Sequence, residues 1–322
     1  MTSWLASRKI LVTGGAGFLG RHVVSRLQQR GCSRIFVPRS AQYDLTRMED
    51  VVRMYEDARP EVVIHLAARV GGIGYIKDRP AEFFYDNLMM GIQTMEQARR
   101  CGVEKFVAII TVCAYPKHAS TPFREDDLWN GYPEETNAPY GVAKKMLIVQ
   151  AQAYRQQYGF NAVCLLPANL YGPGGSFDPS SSHVIPAVIQ KCIEAKEEGR
   201  DYIEVWGTGN ASREFLYVDD CAEAVVLASE RYSGPEPVNV GSGQEVTIRN
   251  LAETIAVLTG YLGQIRWDAT KPEGELRCCL DTSKAATEFG FRARTLLELG
   301  LGTTIGWYLE QRAQGLVHGR AI

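Results

Sequence analysis

Short apolar runs alternate with longer segments of helical period through the N-terminal half of the chain. Lys9-Ile10-Leu11-Val12 reads as a short buried strand, and an apolar-periodic helix follows it, ending near Arg30-Gly31. Arg34 to Val37 predicts a second strand and Glu61 to Leu66 a third. Asn87-Leu88-Met89-Met90 opens a helix that reaches about Arg100, with a Met and Leu stripe suited to a core or a subunit interface. Lys105 to Ile110 is the next strand, and Ala162 to Leu166 another. Strands and helices in alternation predict an α/β fold built on a doubly wound parallel sheet.

The later elements are a helix from Val184 to about Glu198, a return of the chain to the first domain through Phe215 to Asp220, and a helix from Cys221 to Tyr232. A strand at Val238 to Gly241, a helix to Leu258 and a last helix from Leu296 to about Arg312 complete the pattern. This gives a Rossmann-type domain over residues 1–168, with 214–242 returning to it. A smaller substrate-binding domain takes 169–213 and 243–322.

Composition narrows the class of protein. The chain has 322 residues, 45% of them hydrophobic and 22% charged, which is ordinary for a globular domain with ample core. A net charge of -2 gives no overall pull towards nucleic acid or membrane. Eight cysteines are scattered without a CxxC pair or a zinc spacing, so they read as reduced, which points to the cytoplasm, and no metal site is expected. No stretch of about 18 apolar residues exists, so no transmembrane helix is expected, and MTSWLASRK has no apolar run long enough for a signal peptide.

The candidate chemistry begins at Thr13-Gly14-Gly15-Ala16-Gly17-Phe18-Leu19-Gly20. Gly14, Gly17 and Gly20 lie between a strand and a helix, where glycine permits the tight turn and lets backbone N–H groups approach a pyrophosphate. Phe18 and Leu19 open that helix. The end of the second strand carries Arg39 and Ser40 in place of the acid that would hold a ribose 2′-hydroxyl, so NADP is favoured and NAD stays open. Asp44 and Leu45 start the next crossover, with Asp44 expected near the adenine. Ala67 and its small neighbours leave room for a cofactor, whereas His65 reads as packed core.

Thr111, Cys113, Tyr140 and Lys144 bring a hydroxyl, a thiol, a phenol and an ammonium into one stretch. Tyr140 and Lys144 are four apart, so on a helix they share a face. A neighbouring ammonium favours phenolate, which suits proton transfer at a ketone or an alcohol.

Taken together, the glycine-rich loop, the Leu66-Ala67-Ala68 strand end and the Tyr140/Lys144 helix resemble the extended short-chain dehydrogenase/reductase superfamily. VGGI at Val70, CAYPK at Cys113, ETNAPYGVAK at Glu135, PANLYGP at Pro167, SHVIPA at Ser182, VWGTG at Val205 and REFLYVDD at Arg213 resemble the GDP-L-fucose synthase family more narrowly. The likeness runs from about Lys9 to Trp307.

That resemblance implies a 3,5-epimerase and 4-reductase acting on a GDP-linked 4-keto-6-deoxy sugar, working as a homodimer. It places Tyr140 as proton donor to the C4 oxygen, Lys144 as the group that lowers its pKa, and Thr111 where the family has a serine. It places Cys113 as epimerisation base and His183 as epimerisation acid. Lys144, Pro167, Asn169, Leu170 and His183 join the cofactor site. Asn169, Lys191, Trp206, Arg213 and Glu273 would line the sugar-nucleotide site, although Trp206 equally suits a core and Lys191 a solvated helix face.

The chemistry has a reason to want these groups. A C4 ketone acidifies the C3 and C5 hydrogens, and inversion needs a base on one side and an acid on the other. Thiol and imidazole have ordinary pKa values of about 8.5 and 6.5, close enough to neutrality for both tasks. Two rival readings share the fold: a nucleotide-sugar epimerase with bound NAD and no net reduction, and a non-catalytic NADP-binding sensor.

Overall fold

The computed structural model describes residues 3–178, 182–271 and 276–316. In chain order its elements are β1 (Ile10–Thr13), α1 (Phe18–Gln29), β2 (Ile35–Phe36), α2 (Met48–Ala58), β3 (Val62–His65), α3 (Ile73–Asp78), α4 (Pro80–Arg100), β4 (Lys105–Ile109), α5 (Ala138–Tyr158), β5 (Ala162–Pro167) and β6 (Asn169–Tyr171). There follow α6 (Val184–Glu198), β7 (Tyr202–Trp206), β8 (Ser212–Tyr217), α7 (Val218–Arg231), β9 (Val238–Val240), β10 (Glu245–Thr247), α8 (Ile248–Thr259), β11 (Gln264–Asp268), β12 (Arg277–Cys278), α9 (Ser283–Phe289) and α10 (Leu297–Ala313).

Six strands form a parallel sheet in the order β2-β1-β3-β4-β5-β9. β1, β3, β4 and β5 are buried at every position, as strands covered on both faces must be. α1 packs against α7 on one face, while α2, α4 and α5 follow one another on the other. The strand order reverses between β1 and β3, and ligands of such sheets bind at the carboxyl ends beside that reversal.

A second hydrophobic cluster gathers Ile185, Ile189, Cys192, Ile203, Val205, Leu251, Ile255, Leu301 and Tyr308 from α6, β7, α8 and α10. Its sheets are small: β8 pairs with β10, β12 and β6, and β7 pairs with β11. The fully buried Glu214 on β8 accepts hydrogen bonds from the N–H groups of Gly243 and Leu280, each at 2.7 Å, and so ties the turn after β9 to the segment after β12.

One detail adds to the expectation and one differs from it. Phe215 to Tyr217 belong to β8 in the small sheet, and the chain rejoins the parallel sheet only with α7 and β9. An apolar run states that a segment is buried but not in which sheet. The helix expected from Asn87 begins at Pro80, because proline at a first helical position lacks only an N–H that would have no partner there.

Candidate functional site

β4 ends one residue before Ile110, and Thr111 stays extended as the cap of a 3-10 turn over Val112–Ala114. Thr111 Oγ1 accepts the Cys113 N–H at 3.2 Å. α5 starts at Ala138 with proline in its first turn, and Glu134 fastens that start by accepting from the N–H groups of Thr136 and Asn137, both at 3.1 Å. Gly141 then lets α5 lie directly on the turn: a Cβ there would sit 2.2 Å from the Cys113 carbonyl oxygen.

That contact brings Tyr140 to Thr111 and Cys113. Thr111 is a side-chain hydrogen-bond partner of the phenol, and Cys113 is an electrostatic neighbour of it. We expect Gly141→Ala to displace α5 from the turn, at a cost of about 1–3 kcal/mol for overpacking. A lowered melting temperature together with lost turnover would show it; unchanged turnover would deny the contact its positioning role.

Burial governs the electrostatics here. It pushes the Tyr140 phenol up from its ordinary value, Cys113 adds to the rise, and the Thr111 hydrogen bond only moderates it. Burial also pushes the Lys144 ammonium down from 10.5 to about 8. Burial thus works against the charged form of each group, favouring the neutral phenol and weakening the hold of Lys144 on its proton. Lys144 is buried, and among the described residues it has no hydrogen-bond or ion-pair partner.

The glycine loop has the shape a pyrophosphate needs. Gly14 takes φ +68°, and a Cβ there would meet the Ala67 nitrogen at 2.8 Å. A Cβ on Gly20 would lie 2.0 Å from the Gly14 carbonyl oxygen, and one on Gly17 3.2 Å from the same atom. α1 begins at Phe18 with no side-chain cap, which leaves its first-turn N–H groups facing outward. Leu19 is on the same first turn. Ala67 donates its N–H to Thr13 Oγ1 at 3.4 Å, and the buried Thr13 hydroxyl meets His65 Nδ1 at 2.9 Å, so His65 is core as expected.

Arg39 is exposed after β2, and its guanidinium has no partner among the described residues. Asp44 uses its carboxylate to accept from the Thr46 N–H and hydroxyl at 2.9 and 2.7 Å, and those bonds hold its pKa down. Leu45 is buried beside it.

Pro167 ends β5, and Asn169 and Leu170 follow on β6, with Asn169 Nδ2 donating to the Glu214 carbonyl at 3.1 Å. His183 caps α6. Phe18, Leu170 and His183 line one cavity of about 50 Å³, together with Gly172, Gly175 and Phe177. Solvent reaches His183 at the mouth, yet the protein around it displaces enough water to hold its imidazole below the ordinary value.

Among the sugar-nucleotide candidates, Lys191 on α6 donates to the Glu204 carbonyl on β7 at 2.7 Å. Trp206 at the end of β7 is 48% exposed, and the Lys271 ammonium lies 5.7 Å from its ring centre, so it is not core. Arg213 on β8 donates to the Ser212 carbonyl at 2.8 Å. Glu273 lies outside the described residues.

The structure adds a residue that the sequence presented only as a helix start. Asn87 is buried, its Oδ1 accepts from the Arg69 N–H at 3.0 Å, and its Nδ2 donates to the carbonyls of Arg69 and Phe83 at 3.1 and 2.7 Å. It fastens the segment after β3 to α4. An asparagine at a helix face gives no sequence signal for such a clamp.

These residues fit a dinucleotide. The loop admits no side chain at Gly14 or Gly20, the helix end is uncapped, and among the described residues Arg39 is unpaired and the buried Lys144 lacks a polar partner. Residues 10–241 match the NAD dependent epimerase/dehydratase family. GDP-L-fucose synthase 1 of Arabidopsis thaliana is 43% identical over 304 residues, which cover 94% of this chain and 94% of that one. The chain belongs to the GDP-L-fucose synthase family.

Solved structures agree on the architecture. A GDP-6-OMe-4-keto-L-xylo-heptose reductase from C. jejuni superposes with TM-score 0.89 and 26% identity, covering 96% of this chain and 99% of that chain. A GDP-L-fucose synthetase from Naegleria fowleri bound to NADP gives TM-score 0.86 and 27% identity, covering 94% of each chain. The resemblance read from the motifs is borne out, and so is the Rossmann-type fold. Among the described residues, no helix of this family member is long and apolar enough to cross a membrane.

Proposed function

We propose that the protein is an NADPH-dependent 3,5-epimerase and 4-reductase of a GDP-4-keto-6-deoxyhexose, with GDP-L-fucose as product. The observation that carries the reading is the cluster of Thr111, Cys113, Tyr140 and the unpaired Lys144 beyond β4, in a chain 43% identical to a GDP-L-fucose synthase over almost its whole length. Of the two solved neighbours described above, one is a GDP-heptose reductase and the other a GDP-L-fucose synthetase. Nothing in them favours an epimerase without net reduction or a non-catalytic sensor.

A nicotinamide held in this site would supply the hydride for C4. Gly14, Gly17 and Gly20 with the first turn of α1 hold the pyrophosphate, Arg39 meets the 2′-phosphate, and Asp44 and Leu45 border the adenine. Lys144 holds the ribose, with Ala67, Pro167, Leu170 and His183 walling the nicotinamide side. Asn169, Lys191, Trp206, Arg213 and Glu273 take the GDP-sugar, the cations facing its diphosphate.

Thr111 and Tyr140 donate hydrogen bonds to the C4 oxygen, which stabilises the enolate formed when a C3 or C5 proton leaves. Cys113 as thiolate takes that proton, and His183 as imidazolium returns one on the opposite side, its lowered pKa making it the stronger acid when charged. Tyr140 finally gives its proton to the C4 oxygen, and the Lys144 charge steadies the phenolate left behind. The protein works in the cytoplasm as a homodimer, and the exposed Phe84, Tyr85 and Val149 on α4 and α5 supply an apolar face for a second copy.

Incubation with NADPH and GDP-4-keto-6-deoxy-mannose tests the reading. Stoichiometric NADPH oxidation is expected, and absence of turnover rejects it. A pH profile adds detail. Lys144 titrates near 8, so kcat should fall as pH rises through that value and the charge beside Tyr140 is lost.

Stability should move the other way. The folded pKa of Lys144 lies below its unfolded value of 10.5, so between about pH 8 and 10 the unfolded chain binds more protons and this group favours folding increasingly. Lys105, also lowered to about 8 by burial, acts in the same direction. A kcat that falls above pH 8 while the melting temperature holds places the cause in the site; a flat kcat denies it.

A further inference from the structure

We infer that His22 and Asp219 form a positioning pair that, through a doubly protonated His22, holds the segment Gly172–Phe177 against the cofactor helix and so tunes nucleotide affinity with pH. The inference rests on the cofactor reading above. It concerns residues outside the glycine loop and outside the groups that touch the sugar.

His22 lies on α1, one turn beyond Phe18, with its side chain 15% exposed. Its Nδ1 meets Asp219 Oδ1 on α7 at 2.8 Å, and its Nε2 meets the Pro173 carbonyl oxygen at 3.0 Å. A carboxylate and a carbonyl are both acceptors. A neutral imidazole carries one N–H, so it can serve only one of them and turns a lone pair on the other. Both contacts together require the imidazolium. The Phe18 ring stands edge-on to the imidazole at 6.3 Å and limits its rotation.

What the pair holds is the wall of the cavity. Gly172, Gly175, Ser176 and Phe177 line it opposite Phe18 and Leu170, and His183 closes it. Gly172 and Gly174 adopt φ +144° and +89°, and a Cβ on Gly174 would lie 3.1 Å from Arg21 Nη1, so this turn is pressed onto α1. The Pro173 carbonyl is a side-chain anchor for it, reaching across from the helix whose first turn faces the pyrophosphate.

Charged groups stand around the pair on both helices. Asp219 faces His22 from α7 and is held below the ordinary carboxylate range by the His22 hydrogen bond first, with Arg26 adding to it. Arg21 and Arg26 are the cations of α1 on this stretch, and Arg21 Nε donates to the Gly17 carbonyl at 3.4 Å. Further along the same helix contact, Arg30 is taken up by Glu223 and Glu230 at 2.5 and 2.7 Å. Asp220 accepts from the N–H groups of Arg294 and Thr295 at 3.1 and 2.9 Å, and thus belongs to another contact. Within Gly172–Phe177 no side chain titrates.

NADPH binding followed by nucleotide fluorescence, from about pH 5.5 to about 8.5 where imidazole changes charge, tests this. Wild type should lose affinity by about three- to ten-fold across that range, the equivalent of one hydrogen bond, beyond any change that a His22→Leu variant also shows. His22→Leu should bind weakly throughout. His22→Arg, which keeps donors to both acceptors at every pH, should retain the low-pH affinity. Asp219→Asn should move the wild-type transition to lower pH.

A merely structural histidine would lower the melting temperature of His22→Leu yet leave its pH slope parallel to wild type, and that result overturns the inference. NADPH binding by wild type with His22→Arg no better than His22→Leu also overturns it. Failure of wild type to bind NADPH at any pH would overturn the cofactor reading, and the inference with it.

Discussion

Tyr140→Phe should abolish reduction while leaving the fold intact. The variant keeps the ring, which stands edge-on to Phe83 at 6.4 Å, and deletes only the hydroxyl shared with Thr111. Removing a buried, weakly partnered hydroxyl changes stability by no more than about 1.5 kcal/mol. The chemical loss is far larger. The Thr111 hydroxyl can donate a hydrogen bond to the C4 oxygen while it accepts the Cys113 N–H, but an aliphatic alcohol is far too weak an acid to surrender its proton in place of the phenol. General-acid removal costs about 10²- to 10⁴-fold in rate. Single-turnover NADPH oxidation checks it, with NADPH affinity measured beside it. A variant that reduces at near wild-type rate would mean that the phenol is a bystander.

Cys113→Ser should separate the two halves of the reaction. Serine occupies nearly the same space on the same 3-10 turn, and the backbone N–H still reaches Thr111 Oγ1. What disappears is a group whose ordinary pKa of about 8.5 allows it to take a proton near neutrality. Exchange of the C3 and C5 hydrogens should slow by about 10²-fold or more, and any NADPH oxidation that remains should give a 4-hydroxy sugar of unaltered configuration at C3 and C5. Solvent-deuterium uptake and product NMR check this. Unchanged exchange and unchanged stereochemistry would remove Cys113 from the mechanism.

Much of this geometry was legible because local chemistry demanded it. Three glycines between a strand and a helix have one use at that spacing, and Tyr140 and Lys144 must share a helix face. Thr111 falls at a strand end because the apolar run before it is long enough to be β4 and no longer. Other features are tertiary by nature.

The burial of Phe215 to Tyr217 is visible in the sequence, but their strand partners are not. Pro80 hid the first turn of α4. The i, i+4 spacing of Tyr140 and Lys144 does not report how far burial opposes the charged form of each. His22 and Asp219 meet across 197 positions of sequence, and Asn87 acts through backbone groups. No periodicity announces either.

The division of labour between the two hydrophobic clusters follows from the same physics. The parallel sheet supplies strand ends, where loops can converge without breaking the core. The smaller sheets around β8 supply Arg213, with Lys191 and Trp206 on the elements beside them. Glu214 stitches the two together through backbone N–H groups rather than through another charge.

The most direct test is the reaction itself in deuterated water, with GDP-4-keto-6-deoxy-mannose and NADPH, followed by NMR and mass analysis of the sugar. The account predicts one NADPH oxidised per sugar, L-fucose configuration in the product, and solvent deuterium at both C3 and C5. NADPH oxidised without deuterium entering the ring, or deuterium entering without NADPH consumed, would contradict it.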